Sequence, residues 1–178
     1  MEWNRFSMSA LRLINETEFS ATVTNISIDN VFSADFDIYQ ITLHCRESGG
    51  GLQGGVGMRF INTSGSVISS SSYDSANLRL LVDSTSQDRA TNGTSLLHTA
   101  LGFTDELGTV STCYIFNPYN SDSFTYTLGQ GAFYTTKLQT EKGIGVFKSA
   151  ETVRGFNLLT DSGSFGSGTI KTYGLRIG

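Results

Sequence analysis

The stretch FNLLTDSGSFGSGTIKTYGLRIG, residues 156–178, says most about the fold. An apolar run leads into a Gly/Ser turn, and the turn leads into a segment in which two kinds of position alternate. The two sets are Lys171, Tyr173, Leu175 and Ile177 on one side and Ile170, Thr172, Gly174 and Arg176 on the other. Because successive side chains of a β-strand point to opposite faces, this alternation predicts a closing strand paired into a sheet. Gly174, in its middle, predicts a bulge or a close backbone approach.

The same alternation recurs in most of the chain. It is clearest in residues 38–46, where Tyr39, Ile41, Leu43 and Cys45 alternate with Gln40, Thr42 and His44. Further runs that predict strands lie at residues 20–27, 56–62, 78–82, 110–116, 124–128, 132–138, 144–148, 152–159 and 169–177. Residues 63–77 and 83–95 are polar or rich in serine and predict surface loops. About ten short strands separated by turn signals predict a single all-β domain, an antiparallel β-sandwich of jelly-roll type with about 8–10 strands.

The first 17 residues fit neither the helical nor the strand period. Their large apolar residues include Trp3, Phe6, Met8 and Leu11. A docking arm, a short helix and a first edge strand are all compatible with this spacing. The domain organisation predicted here is therefore an arm or short element at residues 1–17 and a sandwich at residues 18–178, with the four apolar residues as candidates for docking on a neighbour.

Charge and hydropathy exclude several classes of partner. The 178 residues contain 12 Lys and Arg and 16 Asp and Glu, which gives a net charge of −4, and the basic residues are scattered singly. Nucleic-acid binding depends on clustered basic residues, so we expect no nucleic-acid partner. No apolar stretch approaches the ~20 residues that span a bilayer, and the first 16 residues do not read as a secretory signal. We expect no membrane insertion.

The chain contains few residues arranged for catalysis. Its two histidines, His44 and His98, have no acidic neighbour in sequence, and no Gly-x-Ser-x-Gly motif is present. Cys45 and Cys113 lie in predicted strands without metal-like spacing, which favours buried free thiols over a disulfide. We therefore expect no enzymatic activity, no cofactor and no metal.

Aromatic residues near predicted loops are candidates for binding. Tyr73 and Tyr119, with Asn117 and Asn120, could stack against and hydrogen-bond a sugar or a partner surface. The alternative is that most aromatics pack in the core or form cross-strand pairs. The sequence favours this alternative but keeps the four residues as a candidate glycan contact.

Four segments carry a resemblance to a known group of proteins. They are residues 11–43, 58–74, 114–128 and 153–178. The matching positions are Gly168, Ile170, Tyr173, Gly174, Leu175 and Arg176, together with 59–62, 64–65 and Tyr73. They resemble small β-sandwich virion proteins of tailed bacteriophages, common in marine cyanophages, which end in a strand of the type Gly-x-Ile-x-x-Tyr-Gly-Leu/Ile-Arg/Lys.

This resemblance implies a structural role in a virion assembled in the host cytoplasm. The expected role is a capsid decoration, cement or head-fibre protein, and the alternative is a tail-fibre or glycan-binding module for host adsorption. The expected partners are other virion proteins, a host surface glycan in the alternative role, and further copies of the chain, with a trimer favoured. The resemblance supplies no catalytic residues.

Overall fold

The computed structural model describes residues 11–20, 22–47, 55–96, 108–134, 136–161 and 163–175. These residues form eleven antiparallel strands in two sheets, which confirms the predicted all-β sandwich. The strands are β1 (Leu11–Phe19), β2 (Asn25–Ile28), β3 (Ile38–Glu47), β4 (Val56–Asn62), β5 (Tyr73–Leu81), β6 (Thr85–Gly93), β7 (Thr109–Phe116), β8 (Thr125–Tyr134), β9 (Leu138–Phe147), β10 (Val153–Thr160) and β11 (Phe165–Leu175). Within the described ranges, no helix is long and apolar enough to cross a membrane.

The two sheets are unequal in width. The large sheet has eight strands in the order β1-β11-β3-β7-β8-β9-β5-β6, and the small sheet has three in the order β2-β10-β4. A jelly roll divides eight strands between two sheets, so the strand number and their distribution differ from the predicted 8–10-strand arrangement. The closing strand β11 pairs with β1 on one side and β3 on the other.

The core lies between the sheets and follows the predicted alternation. In β3 the four residues Tyr39, Ile41, Leu43 and Cys45 are all buried, as predicted from parity. The small sheet covers them with apolar side chains from β4 and β10, including Met58, Phe60, Phe156 and Leu158. Burial of this inward set is the main stabilising contribution, because each large apolar side chain contributes about 1.5–3 kcal/mol.

One ion pair ties the small sheet to the loop that follows β2. Nε and Nη2 of Arg154 in β10 donate to the two carboxylate oxygens of Asp29 at 2.8 and 2.6 Å. Nη1 of the same arginine donates to the carbonyl oxygen of Thr63 at 3.0 Å. The hydrogen bonds from Arg154 lower the pKa of Asp29. One side chain therefore holds together three segments that are distant in sequence.

Two regions predicted to be loops contain strands, and these predictions were wrong. Residues 73–77 belong to β5, and most of residues 83–95 form β6. Both belong to one hairpin, in which Leu78 pairs with Gln87. Strand β6 (TSQDRATNG) lies at the edge of the sheet and buries no large side chain, so it needs no apolar alternation. Its pairing depends on backbone hydrogen bonds that composition does not reveal.

Strand β8 is one continuous strand where the sequence predicted two, because glycines interrupt its apolar pattern. The sequence suggested separate strands at 124–128 and 132–138, but β8 runs without a break from Thr125 to Tyr134. Gly129 and Gly131 lie at buried positions in the middle of this strand. Because glycine interrupts an apolar pattern without breaking a ladder, the periodicity divided one strand into two.

The N-terminal segment is described from Leu11 onward. Residues 11–17 belong to the edge strand β1, one of the three alternatives left open by the sequence, and the boundary expected between residues 17 and 18 falls inside this strand. Leu11 pairs with Leu175 and is exposed. The other candidates for docking, Trp3, Phe6 and Met8, lie outside the described residues.

Gly174 is required by a close approach, though not by the backbone approach that was predicted. A Cβ atom at this position would lie 2.6 Å from Cγ of Phe36, so the Phe36 ring occupies the space that a side chain would need. The register irregularity lies in the neighbouring strand, between Leu13 and Asn15 of β1. Close packing against a ring therefore explains the glycine.

We predict that Gly174→Ala destabilises the protein. The added methyl group must displace the Phe36 ring, and overpacking of this kind costs about 1–3 kcal/mol. Thermal unfolding monitored by circular dichroism should show a Tm lower by about 3–10 °C. Ser167→Ala, at an exposed position of the same strand, is the control and should leave the Tm unchanged. An unchanged Tm in Gly174→Ala would contradict the close packing described here.

Candidate functional site

The open face is the surface of the large sheet that points away from the small sheet. Strands β7, β8 and β9 alternate strictly, so every second residue is buried and the intervening ones face outward. Ile144 and Leu138 on this face are 58% and 55% exposed. Eleven of the fifteen exposed large hydrophobic side chains among the described residues lie on it: Leu11, Leu13, Leu78, Leu80, Val110, Tyr114, Tyr126, Leu128, Tyr134, Leu138 and Ile144. Exposed apolar side chains are therefore concentrated on one surface.

Strand pairing arranges these side chains in rows that cross the sheet. Two neighbouring rows form a mostly apolar surface, which we call the apolar band. From β1 towards β6, its first row contains Leu11, Leu175, Ile38, Phe116, Tyr126, Val146 and Asp74, and its second row contains Leu13, Tyr173, Gln40, Tyr114, Leu128, Ile144, Ala76 and Arg89. Apolar or aromatic side chains thus run across neighbouring strands without a large polar gap.

A polar row follows the apolar band on the same face. It contains Glu16, Lys171, Thr42, Thr112, Gln130, Lys142, Leu78 and Gln87. A hollow of about 510 Å³ lies over its middle part, lined by Thr42, Thr112 and Gln130 and also by His44. A second hollow of about 510 Å³ is apolar and lies over Tyr126, Ile144 and Val146 in the apolar band. The open face therefore has one hollow over its polar row and another over its apolar band.

The charges on the open face are separated between its two ends. Glu16 and Glu18 of β1 lie at one end, where Lys171 donates to Glu16 at 3.0 Å and this hydrogen bond raises the pKa of Lys171. Lys142 and Arg89 lie toward the other end. Among the residues that the structure describes, no ion pair involves Lys142 or Arg89. Two glutamates therefore lie on the edge strand β1, whereas Arg89 on the opposite edge strand β6 and Lys142 on β9 have no ion-pair partner among the described residues.

Three of the four candidate glycan contacts lie together in a second site, the Tyr119 cleft. This cleft, of about 280 Å³, is lined by Asn117, Tyr119 and Asn120 with Ser33, Phe36, Asp37 and Ser121. The backbone N–H of Asn117 donates to the carbonyl oxygen of Asp37 at 2.8 Å, and Asn117 has a left-handed φ of 55°. Tyr119 is 42% exposed. The cleft therefore presents an aromatic ring beside amide, hydroxyl and carboxylate groups.

Tyr73 does not join this site, and its prediction as a surface contact was wrong. Its side chain is 0% exposed and its ring stacks on Phe147 with centroids 4.9 Å apart. The hydroxyl group accepts a hydrogen bond from the Phe60 N–H at 3.1 Å and donates one to the Ile68 carbonyl oxygen at 3.0 Å. Burial raises the pKa of Tyr73 to about 12. Tyr73 opens β5 on its inward face, so it is a core residue.

The sequence missed the open face, although one signal for it was present. A strand that is half-buried alternates apolar with polar residues, yet in β7 both sets contain large apolar residues. Cys113 and Ile115 are buried, whereas Val110 and Tyr114 are exposed. A strand with large apolar residues on both faces is the sequence signal of a sheet that packs against a neighbour on each side.

The described histidine and the described acidic residues do not form a metal-binding cluster. His44 borders the polar hollow of the open face, and His98 lies outside the described residues. Within the described ranges, no group of three His, Cys, Asp or Glu residues could hold a metal ion. On the inward side, buried Glu141 lies 3.7 Å from Arg79 and accepts a hydrogen bond from Asn77, a polar cluster that the sequence did not indicate.

Comparisons with known proteins give little additional information. No family model matches the chain, and no curated protein matches it. Two solved structures, of infectious bursal disease virus Gt strain and Gx strain, are similar at TM-scores of 0.17 and 0.16 with 15% and 13% identity. They cover 93% and 95% of this chain, which spans 41% of each of those chains. Both are viral, but TM-scores this low carry no argument about function.

Both cysteines are buried free thiols, as the sequence predicted. They lie on the adjacent strands β3 and β7, where Cys45 pairs with Thr109 and Cys113 pairs with Ile41, so they are not opposite each other. Burial raises the pKa of each thiol to about 12. Neither can act as a nucleophile near neutral pH, because the thiolate is the reactive species.

We predict that neither thiol of the native protein reacts with a thiol-specific disulfide reagent at about pH 8. At that pH, only about one thiol in ten thousand is ionised, and burial blocks access to the reagent. Absorbance should show two thiols per chain after unfolding in guanidinium chloride. Rapid reaction of one thiol in the native protein would contradict its burial.

Proposed function

We propose that this chain is a non-enzymatic structural protein of a viral particle, and specifically a capsid decoration, cement or head-fibre protein of a tailed-phage virion. The supporting observation is the open face, because exposed apolar side chains extend across most of an eight-stranded sheet. Soluble monomers rarely expose contiguous apolar patches larger than a few hundred Å². A surface of this kind is typical of a subunit that is covered by a neighbour in an assembly. The resemblance in sequence to phage virion proteins supports the particle as its setting.

The dimensions of the open face match those of a stable subunit interface. A fourth row follows the polar row and contains Glu18, Thr169, His44, Val110, Ala132, Thr140, Leu80 and Thr85. Strands lie about 4.8 Å apart and neighbouring rows about 6.8 Å apart, so these four rows on eight strands occupy about 34 Å by 20 Å. This is roughly 700 Å² in projection, close to the ~800 Å² that each partner contributes to a standard interface. In this proposal the partner on this surface is another subunit of the virion, and the open face is the assembly surface.

The proposed role predicts a specific pattern of tyrosine labelling on intact particles. Virions of the virus that encodes this chain would be treated with a tyrosine-modifying reagent, and the same chain would be labelled again after unfolding. Tyr126 and Tyr134 of the open face should be at least about fivefold less modified on the particle than in the unfolded chain, because the neighbouring subunit covers them. Tyr119, off the open face, is the internal control and should remain modified.

The outcomes of this experiment test the structural role in the virion and the open face as assembly surface separately. Absence of the chain from purified virions would overturn the structural role. Presence of the chain with Tyr126 and Tyr134 modified as heavily as Tyr119 would overturn the open face as the assembly surface. Imaging of the particle with antibody to the chain adds the location, and signal confined to the tail would overturn the capsid assignment.

A second candidate function is a glycan-binding module for host adsorption, and the Tyr119 cleft favours it. Sugar-binding sites combine an aromatic platform with hydrogen-bonding side chains, and the cleft places Tyr119 beside Asn117, Asn120 and Asp37. The loop is held from both sides, because the Pro118 carbonyl oxygen accepts a hydrogen bond from Val153 N–H at 2.9 Å. A fixed loop could present these groups without large ordering costs.

The glycan role predicts binding that depends on the Tyr119 ring. The isolated chain would be applied to an array of host surface glycans. Tyr119→Ala should weaken any binding at least about tenfold, or about 1.4 kcal/mol, because the ring is the aromatic platform of the cleft. Val67→Ala, an exposed apolar residue elsewhere, is the matched control and should bind as the unaltered chain does. No binding to any array glycan or to host cells would reject this role.

A further inference from the structure

We propose that the partner covering the open face is a second copy of this chain, related by a two-fold axis that lies in the interface and runs parallel to the strands between β7 and β8. This inference rests on the proposed role of the open face as an assembly surface and adds the identity and orientation of its partner. Three features of the open face support a second copy: its area, its apolar and polar rows, and the charges on its edge strands.

The area of the open face suits a second copy that covers all of it. A two-fold interface uses the same patch on both subunits, so its two sides always match in size. Two open faces packed about 10 Å apart would form a sheet-on-sheet interface of the kind that fills β-sandwich cores. Roughly 700 Å² per subunit in projection is comparable with the ~800 Å² contributed by each partner in stable complexes.

The apolar and polar rows of the open face restrict the direction of the axis. The central pair of strands in the order β1-β11-β3-β7-β8-β9-β5-β6 is β7 and β8. Rotation about an axis parallel to these strands keeps every cross-strand row over the same row of the second copy. The apolar band then packs on the apolar band and the polar row on the polar row. Side chains such as Leu128 and Ile144 leave water together, and the threonines of the polar row meet other polar groups.

Charges on the two edge strands distinguish this axis from one perpendicular to the strands. With the axis parallel to the strands, β1 of one copy lies over β6 of the other, so Arg89 lies over Leu13 and one row from Glu16 of the second copy. With the perpendicular axis, β1 would lie over β1 of the partner, which carries the same two glutamates, Glu16 and Glu18. Like charges in an interface cost free energy, whereas opposite charges fix the register.

The first test is the mass of the purified chain in solution, measured by sedimentation from about 1 to 100 µM. The expected species is a dimer. Ile144→Lys places a charge in the apolar band and should raise the dimer dissociation constant at least about tenfold. Val67→Lys is the matched control, because Val67 is 39% exposed but lies beside β4, away from the open face, and its dissociation constant should not change. Thermal unfolding of both variants checks that they remain folded.

The second test addresses the axis by exchange of charges. Glu16→Arg and Arg89→Glu should each raise the dissociation constant by about two- to fivefold, as expected for ion pairs near solvent. The double variant exchanges the two signs and should restore the dissociation constant to within about twofold of the unaltered chain. Failure of the double variant to recover would overturn the proposed axis.

A cross-linking test gives the geometry directly. Glu16 of β1 and Gln87 of β6 lie at opposite ends of the polar row, so in the dimer Glu16 of one copy lies over Gln87 of the other, whereas the two Glu16 positions are about 34 Å apart across the sheet. With a thiol-reactive cross-linker that spans about 10 Å, the separation of packed sheets, an equal mixture of Glu16→Cys and Gln87→Cys chains should form the mixed cross-link in preference to either symmetric one. The native thiols do not interfere because both are buried. Dominance of the Glu16→Cys symmetric cross-link would overturn the axis.

These results are distinguishable from failure of the proposed function. A monomer or trimer at 100 µM, or equal effects of Ile144→Lys and Val67→Lys, would overturn the two-fold dimer even if the chain is found in virions. A dimer with the expected responses would uphold this inference even if the chain proved absent from virions, in which case only the virion role would fall.

Discussion

The inward side chains of the large sheet determine the arrangement of the rest of the molecule. In an antiparallel sheet, burial of one set of side chains fixes the opposite direction of the other set. Tyr39, Ile41 and Leu43 of β3 and Ile115 of β7 are buried in the core that the small sheet covers. Residues between them must then point to the other side of the sheet. The open face is the direct geometric consequence of this core, and its composition is independent of the packing inside.

This relation explains how a stable sandwich can also carry a surface suited to assembly. The aromatic cluster of Phe60, Tyr73 and Phe147 lies entirely on the inward side, with centroid separations from 4.9 to 6.3 Å. Changes on the outward side leave this cluster intact, so the open face can be adapted to a neighbour at little cost to folding. The two unequal sheets thus separate stability from recognition.

The described groups favour recognition over covalent chemistry. The two thiols and the Tyr73 hydroxyl have raised pKa values because they are buried, and these changes work against reactivity near neutral pH. The surfaces that remain accessible are a banded apolar sheet face and a small cleft that presents Tyr119. Both are suited to contact with other molecules, the first with a large flat partner and the second with a small polar ligand.

The sequence predicted the elements whose two faces differ. Strands β3, β7 and β11 alternate in sequence, and the structure confirms that they are strands; in β3 it also confirms which face is buried. The sequence did not predict β6 or the continuity of β8, because an edge strand needs no apolar face and glycines at buried positions interrupt the pattern. These strands are specified by the backbone hydrogen bonds of their neighbours, which contribute no periodicity to the sequence.

For the candidate sites, local sequence was informative and long-range register was decisive. Asn117, Tyr119 and Asn120 lie in one loop, so their proximity followed from the sequence alone. Tyr73 also follows a serine-rich segment, but its parity in β5 directs it into the core. The open face joins side chains from all eight strands of the large sheet, and strand order is set by which partners bury the inward set best. The sequence by itself therefore determined which residues alternate, and only the tertiary structure decided which of them meet on one surface, because strand order and register depend on contacts between distant segments.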